Sequence, residues 1–125
     1  MAHQIRIETD KCVLTAKLND SITANAIWES LPIESKAFNW GGEIWFYIDV
    51  KLPEYPDARR EMGVGELGYW PRGPGFCIFY GRTPESIDDQ PRGEEPGNPF
   101  GWVEGDSTVL NAVKDGDNIR VEGIT

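Results

Sequence analysis

The stretch that decides the fold is residues 43–50, which read Glu-Ile-Trp-Phe-Tyr-Ile-Asp-Val. Alternate side chains differ in character, and this period of two is typical of a β-strand. One face is apolar throughout and is predicted to enter the core: Ile44, Phe46, Ile48 and Val50. The other face places two large aromatics between two carboxylates: Glu43, Trp45, Tyr47 and Asp49. Aromatics on an outward face indicate a groove or a partner surface, unless a loop or helix covers them.

The chain around this strand is divided into short segments by turn-forming residues. It contains 14 glycines and 9 prolines, most of them after residue 50. Further strands are predicted at residues 4–8, 11–18, 64–70, 76–80, 100–104 and 118–123. In the second of these, the face of Cys12, Leu14, Ala16 and Leu18 is the apolar one. Many short strands separated by glycine and proline favour an all-β barrel or sandwich.

Two helical segments interrupt the strands. The segment from Ser21 to Leu31 begins with an N-cap residue type, continues with helical spacing and is closed by Pro32. Residues 107–113 are predicted to form a second, shorter helix with Asp106 as its cap. The chain is therefore expected to be mainly β with one or two short helices.

Residues Pro84–Pro99 are predicted to be a long acidic loop, because they contain four prolines and a cluster of acids. The acids are Glu85, Asp88, Asp89, Glu94 and Glu95. Their oxygens could bind a hard cation such as Ca²⁺, but the spacing matches no EF-hand loop. A solvated loop without a metal is the prediction.

Length and charge limit the class of protein. The 125 residues are expected to form a single domain, residues 1–125. The net charge of −9 disfavours nucleic acids and anionic membranes, because no basic stripe is present to contact phosphates. No apolar run approaches the roughly 20 residues that span a bilayer. The start of the chain has no apolar signal core, so a cytoplasmic location is predicted.

The few cysteine and histidine residues exclude several chemistries. Cys12 and Cys77 lie in strand-like segments outside any CxxC pair, and are predicted to be free thiols, although a disulfide between them is an alternative. The single histidine, His3, is close to the terminus and is expected to fray. Catalytic triads and histidine-ligated zinc are therefore not expected. Neither a metal nor a cofactor is predicted.

Two further sets of residues are candidates for a functional role. Glu43 and Glu66 could form a carboxylate pair for acid–base chemistry, but nothing in the sequence places them together. Arg72 and Arg82 flank the strand at residues 76–80 and could recognise a carboxylate or carbonyl group. In a chain with 21 acidic residues, local ion pairing is the simpler role for both arginines.

Four stretches together resemble the cyclophilin-like superfamily, in particular a small group of uncharacterised bacterial and archaeal proteins with that fold. They are residues 39–46, NWGGEIWF; residues 65–71, GELGYWP; residues 76–84, FCIFYGRTP; and residues 100–105, FGWVEG. With the early helix, the resemblance covers nearly the whole chain. It implies a closed, eight-stranded antiparallel barrel whose ends are capped by one or two short helices, an arrangement without edge strands.

The resemblance also implies a groove on the outside of the barrel, where cyclophilins bind proline-containing peptides. The residues expected to line it are Glu43, Trp45, Tyr47, Trp70, Arg72, Phe76, Ile78, Tyr80 and Arg82. The catalytic phenylalanine-histidine-arginine motif of cyclophilins is absent, and neither Arg72 nor Arg82 occupies its position. No catalytic residue is therefore assigned.

The sequence favours a non-catalytic binding module that holds a small molecule or an extended peptide against the outer aromatics. The first alternative is a divergent peptidyl-prolyl isomerase. The second is a subunit whose exposed aromatics form an oligomer or partner interface. The chain is expected to be a monomer or a weak dimer.

Overall fold

Ten β-strands pair into one antiparallel sheet in the computed structural model, which describes residues 3–124. The strands are β1 (Gln4–Thr9), β2 (Val13–Leu18), β3 (Ile33–Lys36), β4 (Phe38–Trp40), β5 (Glu43–Tyr47), β6 (Arg59–Glu61), β7 (Glu66–Trp70), β8 (Gly75–Phe79), β9 (Arg92–Glu104) and β10 (Asn118–Ile124). The helix α1 spans Ile22–Ser30, and a 3-10 helix spans Ser107–Ala112.

The sheet is not closed into a barrel. Its strands follow the order β3-β10-β1-β2-β9-β7-β8-β5-β4, and β6 pairs with β9 beside this path. The two end strands, β3 and β4, are consecutive in the chain and meet at Ala37, but no ladder joins them. The expected closed barrel of eight strands is therefore wrong in strand number and in closure. One continuous segment supplies both end strands instead of a single closing strand: it pairs with β10 before Ala37 and with β5 after it.

The inward side chains of the sheet form the main core. Strands β1, β2, β5, β7, β8, β9 and β10 all contribute to it, as predicted for the alternating faces of residues 11–18 and 43–50. Helix α1 packs Ala24 and Ile27 onto this core, and the Ser21 hydroxyl caps it by accepting a hydrogen bond from the Ala24 amide. The cap and the boundaries of this helix confirm the sequence prediction.

The second predicted helix forms as a 3-10 helix. Its cap is Asp106, whose carboxylate accepts a hydrogen bond from the Thr108 amide at 2.9 Å. Within the described part of the chain, no helix has the length and apolar character needed to cross a membrane.

The acidic loop predicted at Pro84–Pro99 is wrong over its second half. Residues from Arg92 onwards belong to β9, which pairs with β6, β7 and β2 along its 13 residues. Glycines in this strand permit close approach: a Cβ on Gly97 would lie 3.2 Å from the Tyr69 carbonyl oxygen. The glycines and prolines of this segment therefore belong to a tightly packed strand, although the same residue types are typical of a loop.

Candidate functional site

The outer faces of β5, β8 and β7 carry a second apolar cluster, separate from the main core. The cross-strand register places Trp45, Cys77 and Gly68 side by side in one row across the three strands. The rows on either side contain Phe79 and Trp70. These outward side chains, with Met62, form the second cluster. The period of two along each strand therefore gives this part of the sheet two apolar faces.

A pocket of about 160 Å³ opens on this outer face. Its aromatic side-chain lining consists of Trp40, Trp45, Trp70 and Phe79, and Tyr69 also borders it, although the Tyr69 side chain belongs to the main core. Cys77 and Gly68 complete the surface of the sheet, and the first residues of β9 contribute Gly93, Glu94, Glu95 and Gly97. Gly68 adds no side chain at the β7 end of the central row, where the side chains of Met62 and Phe79 lie close by. We call this cavity the outer-face pocket.

Two tryptophans form adjacent walls of the outer-face pocket. The rings of Trp45 and Trp70 meet at 85°, with their centroids 5.6 Å apart. Phe38 packs on the far side of Trp45 at 4.8 Å. The Trp70 indole N–H donates a hydrogen bond of 2.6 Å to Glu95, whose other oxygen is 2.6 Å from the Arg72 guanidinium. These contacts hold both rings in place before any ligand arrives.

Glu43 is a buried carboxyl group in the wall of the outer-face pocket, with 6% of the residue exposed. Its pKa is raised from 4.5 to about 7, mainly because burial disfavours the charged form; the neighbouring charge of Glu94 adds to the rise. A hydrogen bond with the Cys77 thiol acts in the opposite direction. The pKa of Cys77 is itself raised well above its usual value, first by burial and then by the Glu43 charge. The thiol is therefore neutral, and Glu43 titrates near neutral pH.

The predicted carboxylate pair does not form. Glu43 lies on β5 opposite Phe79 of β8, and Glu66 begins β7 on the other side of β8. Two strand spacings separate their Cα atoms by roughly 10 Å. Glu66 instead forms a two-point ion pair with Arg59, at 2.9 and 2.5 Å, and accepts the Gly63 amide. Glu66 thus fixes the segment before β7 and is a structural residue.

Three of the predicted groove residues lie in the wrong place. Phe76, Ile78 and Tyr80 are buried in the main core, so their side chains point away from the outer face. The outward residues of that strand are Cys77 and Phe79. The prediction is wrong because both faces of β8 are apolar, so that its alternation does not reveal which face enters the core.

The other predicted groove residues divide between the pocket and its surroundings. Glu43, Trp45 and Trp70 line the outer-face pocket, and Arg72 reaches it only through Glu95. Tyr47 is 51% exposed and stacks edge-on against Trp45 outside the pocket lining. Arg82 lies at the surface beside Asp89, at 3.7 Å.

Several lining residues were not among the predicted site residues. Trp40 and Glu94 are the clearest, with Cys77, Phe79 and Glu95. Cys77 and Phe79 lie on the outer face because the strand register pairs Cys77 with Trp45, and this register is visible only once the strands are paired. Glu94 and Glu95 were assigned to a loop that turned out to be a strand.

Of the remaining chemical candidates, Cys77 lines the outer-face pocket, and Cys12 and His3 lie outside its lining. Both cysteines are free thiols, as predicted, with Cys77 buried and Cys12 half-buried. His3 does not fray; its ring stacks on Trp28 with a centroid distance of 4.0 Å. From residue 3 to residue 124, no three histidine, cysteine or acidic side chains come together as a metal site.

Comparison with known proteins identifies a matching family model and a similar solved structure. A family model described as Cyclophilin-like matches residues 3–122. Among solved structures, the chain is similar to the solution structure of the hypothetical protein AF2241 from Archaeoglobus fulgidus. That similarity has a TM-score of 0.83 and 29% sequence identity, and it covers 98% of this chain and 95% of the other. No curated protein matches.

Proposed function

The chain belongs to the cyclophilin-like family, as its sequence motifs indicated, and on this premise we propose that it binds a small molecule in the outer-face pocket. The observation that carries the proposal is a concave aromatic lining built around a buried carboxyl group. Pockets of this kind, mostly apolar with few polar groups, are the usual form of small-molecule sites.

The size of the outer-face pocket favours a compact ligand over an extended peptide. An apolar cavity of about 150 Å³ accommodates one benzene molecule. The outer-face pocket, at about 160 Å³, thus suits one ring or one branched group of similar size. Because the tryptophan walls are held by Phe38 and by Glu95, little side-chain entropy would be lost on binding.

The five tryptophans of the chain provide a test with internal controls. Trp40, Trp45 and Trp70 line the outer-face pocket, whereas Trp28 and Trp102 lie outside its lining. Each indole N–H gives one signal in a ¹H–¹⁵N spectrum. Titration with a library of ring-sized fragments should shift the three pocket signals and leave the other two in place.

The matched variants are Trp45→Ala and Trp102→Ala. The first removes one pocket wall and should weaken binding of any fragment at least tenfold; the second should leave the affinity unchanged. A library in which no fragment moves the pocket signals, or moves all five equally, would count against the proposed function.

Prolyl isomerisation is the second candidate, and the observation in its favour is that a proline ring would also fit a pocket of this size. Catalysis must lower a barrier of roughly 18–20 kcal/mol to amide rotation. Among residues 3–124, no arginine lines the outer-face pocket; Arg72 is paired with Glu95 beside it, and Arg60 donates to the Gly93 carbonyl. We therefore expect no rate above background in a proline-peptide assay, and a clear acceleration would replace the binding proposal with an enzymatic one.

A further inference from the structure

We propose that the ligand of the outer-face pocket is a small organic cation, such as a quaternary ammonium group, held against the tryptophan walls with its charge balanced by Glu43. This inference rests on the proposed function and adds the chemical class of the ligand. Its grounds are the sign of the charges around the pocket, the ring geometry and the unbalanced carboxyl group.

Within the described part of the chain, the charged residues that line the outer-face pocket are all acids: Glu43, Glu94 and Glu95. The guanidinium of Arg72 approaches Glu95 from outside and is 78% exposed, so it neutralises that one acid without facing the cavity. The negative potential that remains attracts cations and repels anions. An anionic or carboxylate ligand, which the arginines had suggested, would meet no positive group in the lining.

The aromatic walls suit a cation with little bound water. A cation is attracted to the face of an aromatic ring within about 6 Å of its centre, most strongly by tryptophan, and sets of such rings recognise quaternary ammonium groups. The ring planes of Trp45 and Trp70 are nearly perpendicular, at 85°, and Trp40 also contributes to the lining. A metal ion would need six or more oxygen ligands or a set of nitrogen and sulfur ligands, and aromatic walls supply neither.

Comparison of two buried acids shows what Glu43 lacks. Glu66 is 3% exposed and has the guanidinium of Arg59 as a two-point partner. Glu43 is 6% exposed, yet the two side chains that act on its pKa are a thiol, Cys77, and a like charge, Glu94, and neither is a cation. A buried carboxylate without a cation is costly. A bound organic cation would supply for Glu43 what Arg59 supplies for Glu66.

The same arrangement couples ligand binding to the release of a proton from Glu43. The groups that face Glu43 are Cys77 on β8, with Glu94 and Glu95 on β9, and Arg72 is already paired. The Glu43 pKa of about 7 means that the empty pocket holds a neutral acid below this pH. A cation favours the ionised form, so binding releases a proton. Affinity should be constant above about pH 7 and fall below it by about tenfold in total, the same loss that replacement of Glu43 by a neutral amide should cause.

The test compares choline with its uncharged carbon isostere, in which a tert-butyl group replaces the trimethylammonium group. The two probes have nearly the same shape and differ in charge. Binding is followed through the indole signals of Trp40, Trp45 and Trp70 at about pH 8. We expect choline to bind at least tenfold more tightly than the isostere.

Two variants with the same change in net charge separate local from long-range effects. Glu43→Gln should weaken choline binding about tenfold and leave the isostere unaffected. Glu34→Gln removes an exposed acid on β3, outside the outer-face pocket, and should alter neither. Thermal unfolding of each variant verifies that it is folded.

The outcomes distinguish this inference from the proposed function. Equal affinity for choline and the isostere, or binding of neutral fragments but not of choline, overturns the cation inference and leaves the small-molecule site intact. Failure of both probes and of the fragment library overturns both. A choline affinity that does not change between about pH 5 and pH 8 also contradicts the role given to Glu43.

Discussion

Replacement of the buried Glu43 carboxyl by an amide should stabilise the protein, by an amount that depends on pH. The folded-state pKa of Glu43 is about 7, against 4.5 for the ordinary carboxyl group, mainly because burial disfavours the charge. Between these two values the folded chain retains a proton that the unfolded chain has lost. The contribution of Glu43 to the free energy of unfolding therefore decreases as the pH rises from 4.5, and it levels off above the folded-state pKa.

The expected magnitude follows from the difference between the two pKa values. A difference of about 2.5 at roughly 1.36 kcal/mol per unit gives a destabilisation of about 3 kcal/mol above pH 7. Glu43→Gln cannot ionise and avoids this cost. For a chain of this length, about 3 kcal/mol corresponds to a rise of roughly 10 °C in Tm.

The assay is thermal unfolding of the wild type and Glu43→Gln at about pH 4.5 and pH 8, at constant ionic strength. The amide itself changes packing and hydrogen bonding equally at both pH values, so the difference between the two is the quantity that tests the reasoning. Glu34→Gln is the control and should show no such difference. If Glu43→Gln raised Tm equally at both pH values, or lowered it at pH 8, the buried acid would not behave as described.

Two further predictions test the packing that positions the outer-face pocket. Arg59→Ala removes the partner of buried Glu66 and should lower the free energy of unfolding by about 2 kcal/mol in a denaturant titration, less than for a fully buried pair because Arg59 is partly exposed. The control Arg82→Ala removes a surface ion pair and should change the free energy of unfolding by less than about 0.5 kcal/mol. Equal effects of the two variants would contradict the structural role of Glu66. A Cβ on Gly42 would lie 2.2 Å from the backbone of Gly81, whereas a Cβ on Gly81 would meet nothing closer than 3.8 Å. Gly42→Ala should therefore lower Tm sharply and Gly81→Ala should not, and the opposite order would show that this close strand contact is absent.

Local patterns predicted the elements whose two faces differ. The segment predicted as a strand at residues 43–50 has an apolar face and a mixed face, and its apolar residues were correctly assigned to the core, although the strand itself ends at Tyr47. The helix α1 has a capping serine and a closing proline, and both signals are local. Strand β8 has apolar residues on both faces, and the choice of Phe76 and Ile78 for the groove failed for that reason.

Features that depend on pairing between distant segments were not readable from the sequence. Residues 92–97 look like a loop because glycine, proline and acids disfavour strands, yet pairing with β6 and β7 makes them part of β9. That pairing brings Glu94 and Glu95 to the outer-face pocket. At Ala37 one segment changes from pairing with β10 to pairing with β5, and no turn-forming residue marks this change.

The most direct test of a ligand site in the outer-face pocket is a crystal structure of the protein purified from cells at about pH 8 without added ligand. We expect compact electron density, larger than ordered water, in the outer-face pocket against Trp45 and Trp70 and within reach of the Glu43 carboxylate. Side chains of the protein itself filling this space, or ordered water alone, would contradict it.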